Sequence, residues 1–212
     1  DVGSTIEAMA RFDNCLHSLD SASAMKESNA IRFKCQLSRG MVIYHHFGPG
    51  DPRVQDALSA AAEVSYDLGE RDALSEALSS LSLGYYNSAD FSAASKVAGT
   101  LVELGTQFAS RRALATGRML EGLCSFATGR FREAQQGLEE AVNLLSEGAE
   151  GTEAIQGRAL VYLAVTLHIL GRTAEARSLV NAAIELARHR RALDLAVTLG
   201  NSLYVFSLQS NI

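Results

Sequence analysis

Tryptophan is absent from the sequence, and proline nearly so: Pro49 and Pro52 are the two prolines in 212 residues. Elsewhere nothing forbids a helix, because proline is the residue that both removes a backbone N–H and clashes with the preceding turn. Runs of β-branched residues are scarce, which argues against strands. Positive charge is not in excess, with 19 Lys and Arg against 24 Asp and Glu and a formal charge of −5. No net field draws in phosphates, so direct nucleic-acid contact by this region is not expected. The longest nearly apolar run, Ala159 to Leu170, carries Thr166 and His168. It falls well short of the ~20 residues a membrane-spanning helix needs, so no membrane crossing is expected. The three cysteines, Cys15, Cys35 and Cys124, show no C-x-x-C spacing, and an odd number fits a reduced, cytoplasmic setting. No secretory leader is visible, the first residue is Asp1, and Ile212 follows an apolar stretch without a helix stop. We read the chain as one helical-repeat domain over 1–212, cut from a longer protein.

What the sequence has in abundance is Ala (32) and Leu (28), both strong helix formers. Apolar residues at i, i+3, i+4 and i+7 predict ten helices, near 4–20, 24–47, 52–68, 72–87, 90–106, 111–128, 131–147, 152–170, 173–189 and 191–208. The breaks have causes. Gly48-Pro49-Gly50-Asp51-Pro52 stops one helix and starts the next, with Asp51 as N-cap and Pro52 at the first helical position. Ser88-Ala89-Asp90, Thr128-Gly129-Arg130 and Leu170-Gly171-Arg172 are turns so short that the helices they join fold back as antiparallel pairs. Glu147 to Gly151 reads as a slack linker, with Thr152 as the next cap.

Small residues recur in the first helix of successive pairs at Gly40, Ser82, Gly122, Ala164 and Gly200. Alanines recur early in the second helices at Ala57, Ala94, Ala134 and Ala176, and leucines close those helices at Leu68, Leu104, Leu144 and Leu186. All three columns share a period near forty residues. A residue with little or no side chain is what lets two helix backbones approach closely. One hairpin cannot bury its own apolar face, so hairpins stack. The fold class expected is all-α, an α-solenoid or superhelix of about five antiparallel pairs.

These columns resemble degenerate tetratricopeptide repeats: Gly122, Ala134, Leu138 and Ala141 fit the pattern, as do Ala164, Ala176, Val180 and Ala183, with Ser82, Ala94, Ala98 and Leu101 fitting more loosely. The helix-A Trp of that family is missing, Tyr85 alone occupies its Tyr column, and the repeat is longer than usual. A narrower stretch, from Ile31 to about Leu144, is similar to the helical C-terminal region of bacterial signalling ATPases and transcriptional regulators with the maltose-activator layout. The residues that carry it are Gly40 to Tyr44, Pro49 to Val54, Leu68-Gly69 and Gly84-Tyr85-Tyr86. That resemblance implies an effector-sensing or protein-docking array fused to a nucleotide-binding switch. No G-x-x-x-x-G-K-[ST] motif occurs in the sequence itself.

Four residues beyond each small position stand Tyr44, Tyr86, Phe126, His168 and Tyr204. In the register above they face the inner side of the array, where an aromatic ladder could stack a planar effector or an extended peptide. The alternative is that the rings pack between adjacent first helices. Met119 and Leu123 complete the candidate groove, although the Lys and Asn of the carboxylate-clamping tetratricopeptide pocket are replaced there by apolar residues.

The remaining polar clusters point to structure. His45 and His46 are adjacent and diverge by about 100° on a helix. Asp13 and His17 form an i, i+4 pair that lacks a third metal ligand. Cys124 replaces a small apolar residue and reads as packing. Arg111-Arg112 and Arg188 to Arg191 lie at helix ends. No G-x-S-x-G and no H-E-x-x-H is present, so neither an enzyme nor a resident metal or cofactor is expected. The function expected is a non-catalytic regulatory module that binds a protein partner or a small-molecule effector. The alternative is a constitutive scaffold or a self-association module that forms a homo-oligomer.

Overall fold

A computed structural model describes residues 2–20, 26–48, 51–69, 71–146 and 152–188. Among them every regular element is an α-helix, in the order α1 (Val2–Asp20), α2 (Lys26–Phe47), α3 (Pro52–Leu68), α4 (Arg71–Asn87), α5 (Phe91–Gln107), α6 (Arg111–Ala127), α7 (Phe131–Leu145), α8 (Glu153–Ile169) and α9 (Thr173–Arg188). The expected boundaries hold to within about two residues. The tenth helix, with Gly200 and Tyr204, lies outside the described residues, as do the linker at 147–151 and the basic residues at 189–191. The chain divides into two compact units, 1–97 and 98–212.

Four of the turns have one construction. Ala89, Ala109, Gly129 and Gly171 each adopt positive φ, at 62°, 51°, 75° and 82°. In each, the N–H of the next residue reaches five positions back: Asp90 to Tyr85, Ser110 to Gly105, Arg130 to Ser125 and Arg172 to Leu167. The positive-φ residue itself donates three positions back. This pair of bonds satisfies the carbonyls orphaned at the helix end and reverses the chain. The residue that completes the pattern then opens the following helix. Asp90 accepts the N–H of Ala93 at 3.0 Å and Ser110 that of Ala113 at 3.3 Å. The α3 start uses the Asp51 cap predicted for it, with the Arg53 N–H on Oδ1 at 3.0 Å and Pro52 at the first helical position.

In unit 1, α2 packs on α1 and α3, and α3 on α4. Leu58 of α3 is lodged between two glycines. A Cβ on Gly40 of α2 would stand 3.0 Å from it, and one on Gly84 of α4 would stand 3.6 Å away. Ile43, Val54 and Leu81 complete the cluster, and each such buried aliphatic side chain contributes about 1.5–3 kcal/mol. Ser82 is fully buried, its hydroxyl bonded to the carbonyl of Ala94 at 3.0 Å, so the small-residue column meets the alanine column as expected.

In unit 2, α6 packs on α7 and α8, and α8 on α7 and α9. Gly122 presses on Leu138 of α7, where an added Cβ would fall 2.8 Å from Cγ, and a Cβ on Gly137 would stand 3.0 Å from the Arg118 carbonyl oxygen and 3.3 Å from the Gly122 nitrogen. α8 is buried nearly all round, from Ala159 to Leu167 with only Tyr162 partly open. The apolar run in the sequence is therefore the central rod of a helix stack. Thr166 is buried within it and bonds the carbonyl of Tyr162, so its hydroxyl costs little. No described helix is long and apolar enough to cross a membrane.

In the leucine column Leu104, Leu144 and Leu186 are partly buried, Leu186 packing on Leu160, Val161 and Ala183, and the side chain of Leu68 lies outside the described residues; Leu101 within α5 and Leu145 at the end of α7 are fully buried. The small and alanine columns mark the backbone contacts, and the leucines around them vary in which turn they fill. Arg111-Arg112 opens α6 rather than closing a helix, so its charges face the unfavourable end of the dipole.

Candidate binding surfaces

Tyr86, Phe126 and His168 each stand in the last turn of a helix and reach across the turn to the first residue of the next. The ring of Tyr86 meets Phe91 edge-on at 5.6 Å, that of Phe126 meets Phe131 at 5.7 Å, and His168 Nδ1 is 3.5 Å from the Thr173 hydroxyl. Sequence reading missed this role. The signal was present, since each partner follows five residues on, flanking a turn.

Tyr44 and Phe126 of the column also link neighbouring first helices. In unit 1 the Tyr44 hydroxyl accepts a hydrogen bond from Asn87 at 2.9 Å. In unit 2 Phe126 packs edge-to-face on Tyr162 of α8 at 5.7 Å. Members of the column thus make contacts between adjacent helices and over the hairpin tips. Edge-to-face pairs of this kind contribute about 0.5–1.5 kcal/mol beyond their burial. Met119 and Leu123 are 2% and 0% exposed. They belong to the core of unit 2, because the helix turn that carries them faces other helices, and they line no open groove.

Other candidates resolve in the same direction. Cys124 is buried, and burial pushes its thiol up to about 11, which leaves an inert packing residue. Asp13 stands 2.9 Å from Arg39 Nε, off the N–H axis, and so is an ion-pair partner rather than a metal ligand. Among the described residues no group of three His, Cys, Asp or Glu could hold a metal ion.

Unit 2 does present an open hollow of about 380 Å³, lined by Arg132, Gln135, Gln136 and Glu139 of α7 and by Leu170 and Arg172 at the α8–α9 turn. α7 supplies these residues because one of its faces is given to Ala134, Leu138, Ala141 and Leu145, which are buried, leaving the opposite face polar. Gln135 donates to Glu139 at 2.8 Å. Arg172 grips Glu175 with two hydrogen bonds of 2.7 and 2.6 Å. That contact raises the arginine above its ordinary value, with a smaller contribution from Glu139, and it lowers the Glu175 carboxyl. Arg132 is exposed and forms no ion pair among the described residues. The sequence reading passed over this surface because no single motif marks it.

No protein-family model matches the chain, and no curated protein matches it in sequence. Its structure is similar to that of BtubC (BKLC) from P. vanneervenii, with a TM-score of 0.75 at 12% identity over 97% of this chain and 84% of that one. It is also similar to the apo form of RapI, with a TM-score of 0.72 at 12% identity over 87% of this chain. The match spans 65% of RapI. At this identity the likeness speaks for the fold, and with the hairpins described above it makes the chain a helical-repeat protein of the α-solenoid type.

Proposed function

We propose that the chain is a non-catalytic, protein-binding module that takes up a polypeptide segment on the open face of α7. The observation that carries this reading is the hollow beside Arg132. It combines an arginine with no ion pair among the described residues, two side-chain amides whose nitrogens bond Glu139 and Glu140 and whose oxygens can accept from a peptide backbone, and one aliphatic contact at Leu170. Such a mixture suits an acidic polypeptide with an apolar side chain better than a small effector, for which a more enclosed and apolar cavity is usual. The aromatic column holds hairpins together and is not the binding element of this reading. The resemblance of Ile31 to Leu144 to the helical region of signalling ATPases and transcriptional regulators adds a regulatory role within a larger cytoplasmic protein. There, occupancy of the array biases a switch domain, and contact with nucleic acid falls to another region.

Selection of a random peptide display library on the immobilised chain tests the binding face. Selected peptides should be acidic and should lose at least about tenfold in affinity, or ~1.4 kcal/mol, for a chain carrying Arg132→Glu and Gln136→Ala. Peptides that bind that variant as tightly as the parent would remove α7 from the proposal.

A further inference from the structure

Cys15 of α1 and Cys35 of α2 are twenty positions apart in sequence, yet their sulfurs lie 3.2 Å apart. A disulfide needs about 2.0 Å, so the two sulfurs have about 1.2 Å left to close. Asp13 and Arg39, at 2.9 Å, hold the same two helices together close by. Both cysteines are half-buried and open to a small reagent, while Cys124 is buried. With no third metal ligand among the described residues, thiol–disulfide chemistry is the reaction open to the pair.

We propose that Cys15 and Cys35 are a redox modification site, closing to a reversible disulfide that pins α1 to α2 when the chain meets a small disulfide oxidant of the glutathione class. One cysteine, as thiolate, attacks a sulfur of the oxidant, forming a mixed disulfide and expelling one small thiolate, which takes up a proton. The second cysteine loses its proton to solvent and attacks the protein sulfur of that mixed disulfide. The internal S–S bond forms and the second small thiol leaves. Two protein thiols are oxidised and one small disulfide is reduced to two thiols. Burial, then the hydrogen bond to Cys15, pushes the Cys35 thiol up to about 11, so the closing reaction is slow near neutral pH and speeds up as pH rises.

The test equilibrates the full chain over a series of oxidised-to-reduced glutathione ratios, traps free thiols by alkylation and maps the cross-link by mass spectrometry. Two of the three thiols should become protected together, in one peptide pair joining Cys15 to Cys35, and a reductant should restore them. Cys124→Ser should behave like the parent, and Cys15→Ser and Cys35→Ser should each abolish the link. Amide exchange across α1 should slow in the oxidised chain. Three alkylated thiols at every ratio, stable glutathione adducts, a link through Cys124 or a covalent dimer would overturn the site. Unchanged exchange in α1 would overturn the pinning.

Discussion

The two units use glycine at helix crossings in different ways. In unit 1 the space over Gly84 is ordinary: an added Cβ would stand 3.6 Å from Leu58. The neighbouring crossing is made by a serine whose hydroxyl caps a carbonyl across the gap. In unit 2 Gly105 and Gly117 touch backbone. A Cβ on Gly105 would fall 2.4 Å from the Leu114 nitrogen, and one on Gly117 would fall 2.8 Å from that of Val102. A side chain can rotate out of the way, whereas a helix backbone has to shift as a body. The second unit therefore holds two crossings, at Gly105 and Gly117, where no side chain fits, while Gly84 in the first is merely small and Gly40 meets only side chains there.

The sharpest break of this comparison is a pair of identical substitutions. Gly105→Ala should destabilise the chain by about 3 kcal/mol or more, through overpacking against α6. Gly84→Ala should be neutral or stabilise by up to about 1 kcal/mol, because alanine is the better helix former. Urea denaturation of both proteins decides it, and equal losses at the two sites would erase the distinction.

A smaller effect concerns the hairpin clasp of unit 2. Phe126 meets the rings of both Phe131 and Tyr162. Phe126→Ala should cost about 2 kcal/mol in the same denaturation experiment. A loss under ~0.5 kcal/mol would mean that the clasp matters less than the surrounding aliphatic packing.

The smallest effect concerns helix starts. Asp51 at α3 in unit 1 can titrate, and Ser110 at α6 in unit 2 cannot. The hydrogen bond from Arg53 holds the Asp51 carboxyl below its ordinary value of 3.8. A carboxylate whose folded pKa is depressed contributes stability above the unfolded value and loses it as pH falls through the folded one. Asp51→Ala should thus cost about 1 kcal/mol near neutral pH, and the difference from the parent should shrink below pH 4. Ser110→Ala should show a difference that does not change across that interval, as followed by thermal unfolding at several pH values.

The helices themselves were legible because alanine, leucine and their spacing leave no competing period, and the turns because glycine or an Asx cap marks them. Ala89 and Ala109 were harder, since alanine rarely takes positive φ. There the tertiary fold imposes a conformation that the residue alone does not favour. Tyr44, Tyr86, Phe126 and His168 were found as a column, but the contacts that the last three make across the turns were not. Periodicity shows which residues are equivalent, and it is silent on whether their common face is open. Cys15 and Cys35 went unpaired for a related reason. In an antiparallel hairpin each step back along α1 is matched by a step forward along α2, so the partner of a residue is found by reflection about the turn and not by spacing. The hollow at α7 draws on two hairpins and could not be read from either alone.

The four shared turns set how such a chain can change in length. Because one residue finishes a helix and starts the next, no position at those tips is idle, and an inserted residue would unseat a terminator and an initiator together. Growth there is confined to the duplication or loss of entire hairpins, so variants of this architecture should differ by steps of about forty residues at these points and not by gradual lengthening of the tips.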